Sequence, residues 1–324
     1  MIPYLSADDV FALLPPADAV AAIEAALRAG LDPSTGVPRT TVPLRHGSML
    51  LMPAESAAHA GVKLVTVAPA NPARGLPRIN ALYAVFDATT LRPAAIIDGT
   101  ALTTLRTPAV SFAAVRQFLP PAPHLVVFGA GPQSAGHVAT LAALVTPASV
   151  TVVTRTGALP KPGLAAPAPA RAPGNAVAAD PLADAGARPL RAGTPEVDAA
   201  VQAADVVVCA TTAREPLFDS ALLGDRAVVV AVGSHEPDAR EVDSAFCARA
   251  TVIVEDRATA LRESGDVVRA VADGALAPER LLTIGDVLHD APTPGGPILF
   301  KGSGMSWQDL VIAEALLARV AGGT

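Results

Sequence analysis

Aromatic side chains make up only 3% of the 324 residues, and charged side chains only 17%. So few rings leave little surface for stacking bases, which argues against a single-strand nucleic-acid binder. Lys and Arg number 24 against 30 Asp and Glu, a formal charge of −6, so the chain as a whole is not drawn to phosphate backbones or anionic membranes. Two cysteines, Cys209 and Cys247, form no CxxC pair and imply no disulfide framework. No apolar run reaches the roughly 18 residues that a membrane-spanning helix needs. The opening residues MIPYLSADDV carry acids where a secretory signal carries bases, which predicts a cytoplasmic location. His46, His59, His124 and His289 lack metal-ligand spacing, and no serine sits in a strand-to-helix elbow, so metal and hydrolase chemistry are disfavoured.

Apolar material is abundant, 51% of the chain, and it is broken by 31 prolines and 25 glycines. That length and composition suit two domains with large cores. Ser6 with Asp9 predicts a capped short helix, and residues 15–30 a longer one closed by Gly30. Between about 39 and 98, short β-like runs separated by Gly, Pro and Asn predict a meandering sheet, followed by a helix over 100–119. After PPAP at 120–123, an apolar run turns into glycines, then a helix, then a second apolar run, which is a βαβ unit. Later runs at 205–211, 226–233 and 250–256 are β-branched and unalternating, as parallel strands buried on both faces should be. Prolines at 160, 162, 167, 169, 173, 181 and 189 predict a long loop over 157–195. Ser306 and Asp309 read as the capping box of a last helix that packs back on the first part. The fold class expected is therefore α/β, a doubly wound parallel sheet beside an α+β unit that the C-terminal helix completes.

In the turn Gly129-Ala-Gly131-Pro132-Gln133-Ser134-Ala-Gly136, the first two glycines suit a tight bend and a close backbone approach to a pyrophosphate. The third is displaced, and Ser134 stands nearest its usual place. The second apolar run ends in Thr154, Arg155 and Thr156 rather than in the carboxylate that would hold a ribose diol. An arginine between hydroxyls suits a 2′-phosphate, which favours NADPH over NADH; a solvated surface arginine is the plain alternative. Arg39, Lys63 and Arg106 each lie at the end of an apolar run or beside turn residues, on three different elements. Arginine can grip a carboxylate through two bonds, and a lysine crowded by other cations loses its proton more readily. Local pattern alone does not unite the three.

The strings GVKLVTVAPANPARGLP, IDGTALTTLRTPAVS, GAGPQSAGH, VGSHEPDAREVD and FKGSGMSWQDL, in that order, resemble the ornithine cyclodeaminase/mu-crystallin family over nearly the whole chain. The resemblance implies a substrate-binding and dimerisation domain, 1–122 plus 304–324, joined to a Rossmann domain over 123–303. It implies that Arg39, Lys63 and Arg106 bind the substrate's α-carboxylate. It also implies cofactor contacts from Thr107, Gly129, Gly131, Pro132, Gln133, Ser134, Thr154, Arg155, Thr156, Thr211, Val232 and Gly233.

Two departures bear on the reaction. His235 stands where ornithine cyclodeaminase has an aspartate for the distal amine, and Leu50 where it has a glutamate. Gly302 replaces a serine of many relatives. The expected activity is an NADPH-dependent reduction of small cyclic imino acids by a homodimer, with Lys63 or His235 as proton donor and no metal, nucleic acid or membrane partner. The alternatives are ornithine cyclodeamination with bound NAD, a related amino-acid dehydrogenase, or a non-catalytic NADPH-binding protein.

Overall fold

The computed structural model describes residues 2–160, 180–290 and 293–322. The first part runs β1 (Tyr4–Leu5), α1 (Ala7–Leu13), α2 (Pro16–Arg28), β2 (Thr40–Leu44), β3 (Gly47–Glu55), β4 (His59–Val67), β5 (Ile79–Asp87), β6 (Pro93–Asp98) and α3 (Gly99–Val115). Ser6 caps α1: its hydroxyl accepts from the Asp9 N–H at 3.3 Å, while the Asp9 carboxylate accepts from the Ser6 N–H at 2.8 Å. Strands β2 to β6 form the antiparallel meander, and β1 joins its end in parallel to β6.

Side chains in a strand alternate between faces, so register decides what meets what. Lys63 on β4 lies opposite Met52 on β3 and Tyr83 on β5, and all three are buried. The other face carries Val42, Leu44 and Leu82, all exposed.

The second part contains β7 (His124–Phe128), α4 (Pro132–Leu144), β8 (Ser149–Thr154), α5 (Pro181–Asp184), β9 (Arg188–Arg191), α6 (Pro195–Gln202), β10 (Val206–Cys209) and β11 (Val228–Ala231). It continues with α7 (Ser244–Arg249), β12 (Thr251–Val254), α8 (Arg257–Glu263), α9 (Gly265–Ala272), β13 (Leu282–Thr283), α10 (Ile284–Asp290) and β14 (Ile298–Lys301). All eight strands are parallel, in the order β13-β12-β14-β11-β10-β7-β8-β9. β10 and β11 are buried at every position, which is why their sequences do not alternate. The chain reverses direction across the sheet between β7 and β10, so the turns after both strands open at the switch point where doubly wound sheets bind ligands.

The final helix, α11 (Ser306–Gly322), returns to pack on α2, α3, β3 and β4. One apolar core runs from the inner face of the six-stranded sheet through α2, α3 and α11 to one face of the parallel sheet; a second lies on that sheet's other face. Helix α3 is buried on most sides and packs on α4, where a Cβ on Gly136 would come within 2.9 Å of the Thr104 carbonyl. The displaced third glycine of the turn thus serves a helix-to-helix contact.

Two expectations need correction. The loop predicted over 157–195 lies partly outside the described residues, but its last portion is folded, with α5 and β9 in it. Pro181 opens α5 and Pro195 opens α6, where a missing N–H costs nothing, and Pro189 lies on β9 at the sheet's edge. Asp309 does not cap α11; its carboxylate is buried against Lys63. Among the described residues no single helix is long and apolar enough to cross a membrane.

Candidate active site

Lys63 enters the interior from the middle of β4, where flanking strands give its stem an apolar lining and leave its ammonium away from water. The ammonium meets α11: Nζ lies 3.0 Å from Asp309 Oδ1 and 2.8 Å from Oδ2, and it donates to Thr103 Oγ1 on α3 at 3.3 Å. Arg106, one turn along α3 from Thr103, brings its Nε to 3.5 Å from the same Asp309 carboxylate. Two cations therefore share one acid that is fully excluded from solvent. Burial, and after it the Arg106 charge, push the Lys63 ammonium down to about 8, while Asp309 opposes the fall and Arg39 adds to it. Asp309 Oδ2 and Arg106 Nε complete no hydrogen bond, and neither does the buried Tyr83 hydroxyl, all among the described residues.

Arg39 approaches from the segment before β2. Its Nη2 donates to Glu263 Oε2 at 2.7 Å and to the carbonyls of Ser303 and Gly304 at 3.1 and 3.2 Å. Gly304, with φ +76°, lies so close to Arg106 that a Cβ would come within 3.0 Å of the guanidinium. The segment after β14 thus touches both arginines. Lys301 lies just before it, buried, bonded to the Ser234 carbonyl and 3.1 Å from Asp266.

His235 is exposed to solvent in the same crevice. Surrounding protein lowers its pKa, with Arg39 and then Lys301 adding to the effect, while Glu236 and Glu263 oppose it. It is therefore mostly neutral near pH 7. His137 is instead a packing residue: its Nδ1–H donates to the Gln133 carbonyl at 2.7 Å, its Nε2 meets Ser111 Oγ, and burial lowers it to about 4.

The glycine turn has the shape a dinucleotide needs. Gly129, at φ +104°, could not carry a side chain, because a Cβ would lie 2.6 Å from the Ala210 carbonyl. Gly131 has open space above it and Pro132 occupies the first position of α4, so the helix N-terminus is free to face an anion. Ser134 Oγ and Gln133 Oε1 are buried without a partner among the described residues, while Gln133 Nε2 donates to the Thr103 carbonyl. Orphaned polar atoms beside a bare backbone fit a diphosphate and nicotinamide ribose.

The remaining expected contacts divide. The Thr154 hydroxyl already accepts from the N–H groups of Gly157 and Ala158, closing a turn, whereas Arg155 and Thr156 are exposed at the same strand end. Thr211 and Gly233 are both spoken for: Glu241 accepts from the Thr211 N–H and hydroxyl at 2.8 and 2.7 Å and from the Gly233 N–H at 2.7 Å. Val232 is half-buried, and a Cβ at Gly302 would meet it at 3.4 Å. The Thr107 hydroxyl donates to the Thr103 carbonyl.

Sequence reasoning missed Glu241, Glu255, Asp266, Lys301, Gln308 and Asp309 as parts of this site. A charged residue directly after a buried apolar run marks two of them, Glu255 after β12 and Lys301 at the end of β14.

Three comparisons bear on this arrangement. Residues 4–161 and 174–324 match the model of the ornithine cyclodeaminase/mu-crystallin family. The chain is 34% identical over 290 residues to Delta(1)-pyrroline-2-carboxylate reductase 2 of Burkholderia ambifaria, covering 88% of this chain and 86% of the relative. It is 30% identical over 326 residues to the ketimine reductase mu-crystallin of Rattus norvegicus, covering 96% and 95%. Among solved structures, the Delta(1)-pyrroline-2-carboxylate reductase of Thermococcus litoralis, in complex with NADH and L-proline, superposes with a TM-score of 0.82 at 22% identity, over 99% of this chain and 98% of that one.

Replacing Asp309 with Asn leaves two buried cations without their acid. The expected cost is on the order of 3–5 kcal/mol of folding stability. Denaturant unfolding measures it, and a midpoint equal to the parent's would show that the pair is not buried.

Proposed function

The chain belongs to the ornithine cyclodeaminase/mu-crystallin family, and we propose that it is an NADPH-dependent reductase of small cyclic imino acids. In this reading Δ1-pyrroline-2-carboxylate or Δ1-piperideine-2-carboxylate becomes L-proline or L-pipecolate, in the cytoplasm. The observation that carries the proposal is charge balance. Lys63 and Arg106 have a single carboxylate, Asp309, in direct contact, since the buried Glu255 reaches Arg106 only through Gln308; one positive charge is thus left without an adjoining acid, and an α-carboxylate neutralises it. The Burkholderia ambifaria relative is named for a substrate of that kind, and the Rattus norvegicus relative for ketimines.

A nicotinamide, when bound, would supply the hydride for C2 of the imine. Gly129, Gly131, Pro132, Gln133 and Ser134 would hold its diphosphate side, and Arg155 with Thr156 a 2′-phosphate. Arg39, Lys63 and Arg106 grip the carboxylate and so fix the orientation of the C=N bond. Lys63, with its proton held at about 8, is the group that delivers a proton to the imine nitrogen. The ionised Asp309 favours the ammonium form of Lys63 and offsets the positive charge of a protonated imine, and the proton that Lys63 gives up is replaced from solvent. His235 contributes a neutral wall, since its own proton is lost below its ordinary range.

Leu50 and Met52 share the face of β3 next to Lys63, so ring methylenes meet hydrocarbon where an ω-amino group would need an acid. This favours cyclic imino acids over ornithine. The exposed apolar face of the six-stranded sheet, with Val42, Leu44 and Leu82, is proposed as the surface that a second copy covers.

Oxidation of NADPH by Δ1-pyrroline-2-carboxylate, followed at 340 nm, tests the activity; no turnover with either ring size contradicts it. Because protonated Lys63 is required, kcat/KM should fall about tenfold per pH unit above about 8. Lys63→Arg, which keeps its proton, should abolish that alkaline limb even at reduced activity; a limb unchanged in the variant assigns it to the substrate. Arg155→Ala should erode the preference for NADPH over NADH about 10-fold to 100-fold in binding titrations. An unchanged preference would return Arg155 to the role of a solvated surface residue. Light scattering should read two chains per particle, and a monomer would overturn the interface.

A further inference from the structure

Besides by Asp309, Arg106 is held by a second residue of the last helix. Its Nη1 donates to Gln308 Oε1, and Gln308 Nε2 in turn donates to Glu255 Oε1. Gln308 is completely buried and Glu255 is 3% exposed. Glu255 stands at the end of β12, in the parallel sheet, and its other oxygen accepts from the Ser303 N–H and hydroxyl, both at 2.8 Å, and from the Gly304 N–H at 3.1 Å. The carbonyls of those same two residues hold Arg39. One carboxylate of the parallel sheet therefore sets both arginines, Arg39 through the backbone of 303–304 and Arg106 through the Gln308 amide.

The polarity of this chain of bonds is fixed. Arginine can only donate and an ionised carboxylate can only accept, so the group between them must accept on one side and donate on the other. Among side chains of this length, a glutamine amide meets that demand and a glutamate does not. Burial makes a mismatched pair costly, because water cannot repair it.

We infer that Glu255 and Gln308 are positioning residues that aim Arg106 at the substrate carboxylate, coupling the nucleotide-side sheet to the anion clamp. This rests on the proposed role of Arg106 as a clamp residue. Neither side chain needs to touch substrate; both act through the guanidinium. Their signature is a weakened hold on the carboxylate with the chemical step little changed.

The test is a swap. Gln308→Glu places two acceptors face to face, and Glu255→Gln places two donors face to face or breaks the bonds to 303–304. Combined, Glu255→Gln with Gln308→Glu reverses the middle bond and restores its donor and acceptor: the amide nitrogen introduced at position 255 donates to the carboxylate introduced at position 308, which still accepts from Arg106. Each single variant should raise KM for Δ1-pyrroline-2-carboxylate about tenfold or more, with kcat within about threefold and NADPH affinity unchanged. The double variant should return KM to within about threefold of the parent. Thermal unfolding of all three separates misfolding from misplacement. A KM unmoved by Gln308→Glu, or a double variant no better than the worse single one, overturns the inference. Failure of Arg106→Ala to raise KM would instead overturn the clamp on which it rests.

Discussion

The ion pair between Lys63 and Asp309, with Arg106 leaning on the same carboxylate, is the constraint around which the molecule is arranged. Three charges taken out of water carry a large desolvation penalty, and their mutual attraction repays it only if geometry is close and no group is left over. Here one positive charge has no acid in direct contact, because the buried Glu255 reaches Arg106 only through Gln308. A pocket built with such a surplus is preorganised for an anion, and its binding energy comes from charge already fixed in place rather than from rearrangement. Burial, and after it the charge of Arg106, explains why Lys63 gives up its proton at about 8 instead of well above it.

That arrangement cannot be made within one element. Lys63 comes from β4, Arg106 from α3, and Asp309 from a helix that closes the chain some 200 residues later. The return of α11 onto the six-stranded sheet is what makes the site possible, and the segment after β14 delivers that helix. Its two carbonyls hold Arg39 and its two N–H groups are held by Glu255. The loops that would carry a nucleotide are fastened in a similar way, with Glu241 tying the turn after β10 to the turn after β11 and Asp266 accepting from the backbone of Glu241 and Val242.

Features set by local backbone chemistry were legible in the sequence. The glycine turn, the Ser6 cap, the meander and the unalternating parallel strands each follow from a short stretch read alone. The cations drew notice one by one, but only resemblance to relatives joined them, because no local spacing relates residues 39, 63 and 106. Asp309 was misread for the same reason in reverse. Ser306 and Asp309 have the spacing of a capping box, and nothing nearby reveals that the carboxylate has a stronger claimant in Lys63, 246 positions away. Glu255 and Gln308 went unnoticed because their partners come together only when the two sheets do. The prolines at 181 and 189, read alone, suggest broken structure, whereas Pro181 begins a helix and Pro189 lies on an edge strand.

The most direct measure of the surplus charge is a pair of calorimetric titrations with planar ring analogues that cannot react. Pyrrole-2-carboxylate and pyrrole-2-carboxamide share shape and differ in charge. The account predicts that the carboxylate binds about 10-fold to 100-fold more tightly, the worth of charge-assisted hydrogen bonds in a dry site. Equal affinities for the two would contradict it.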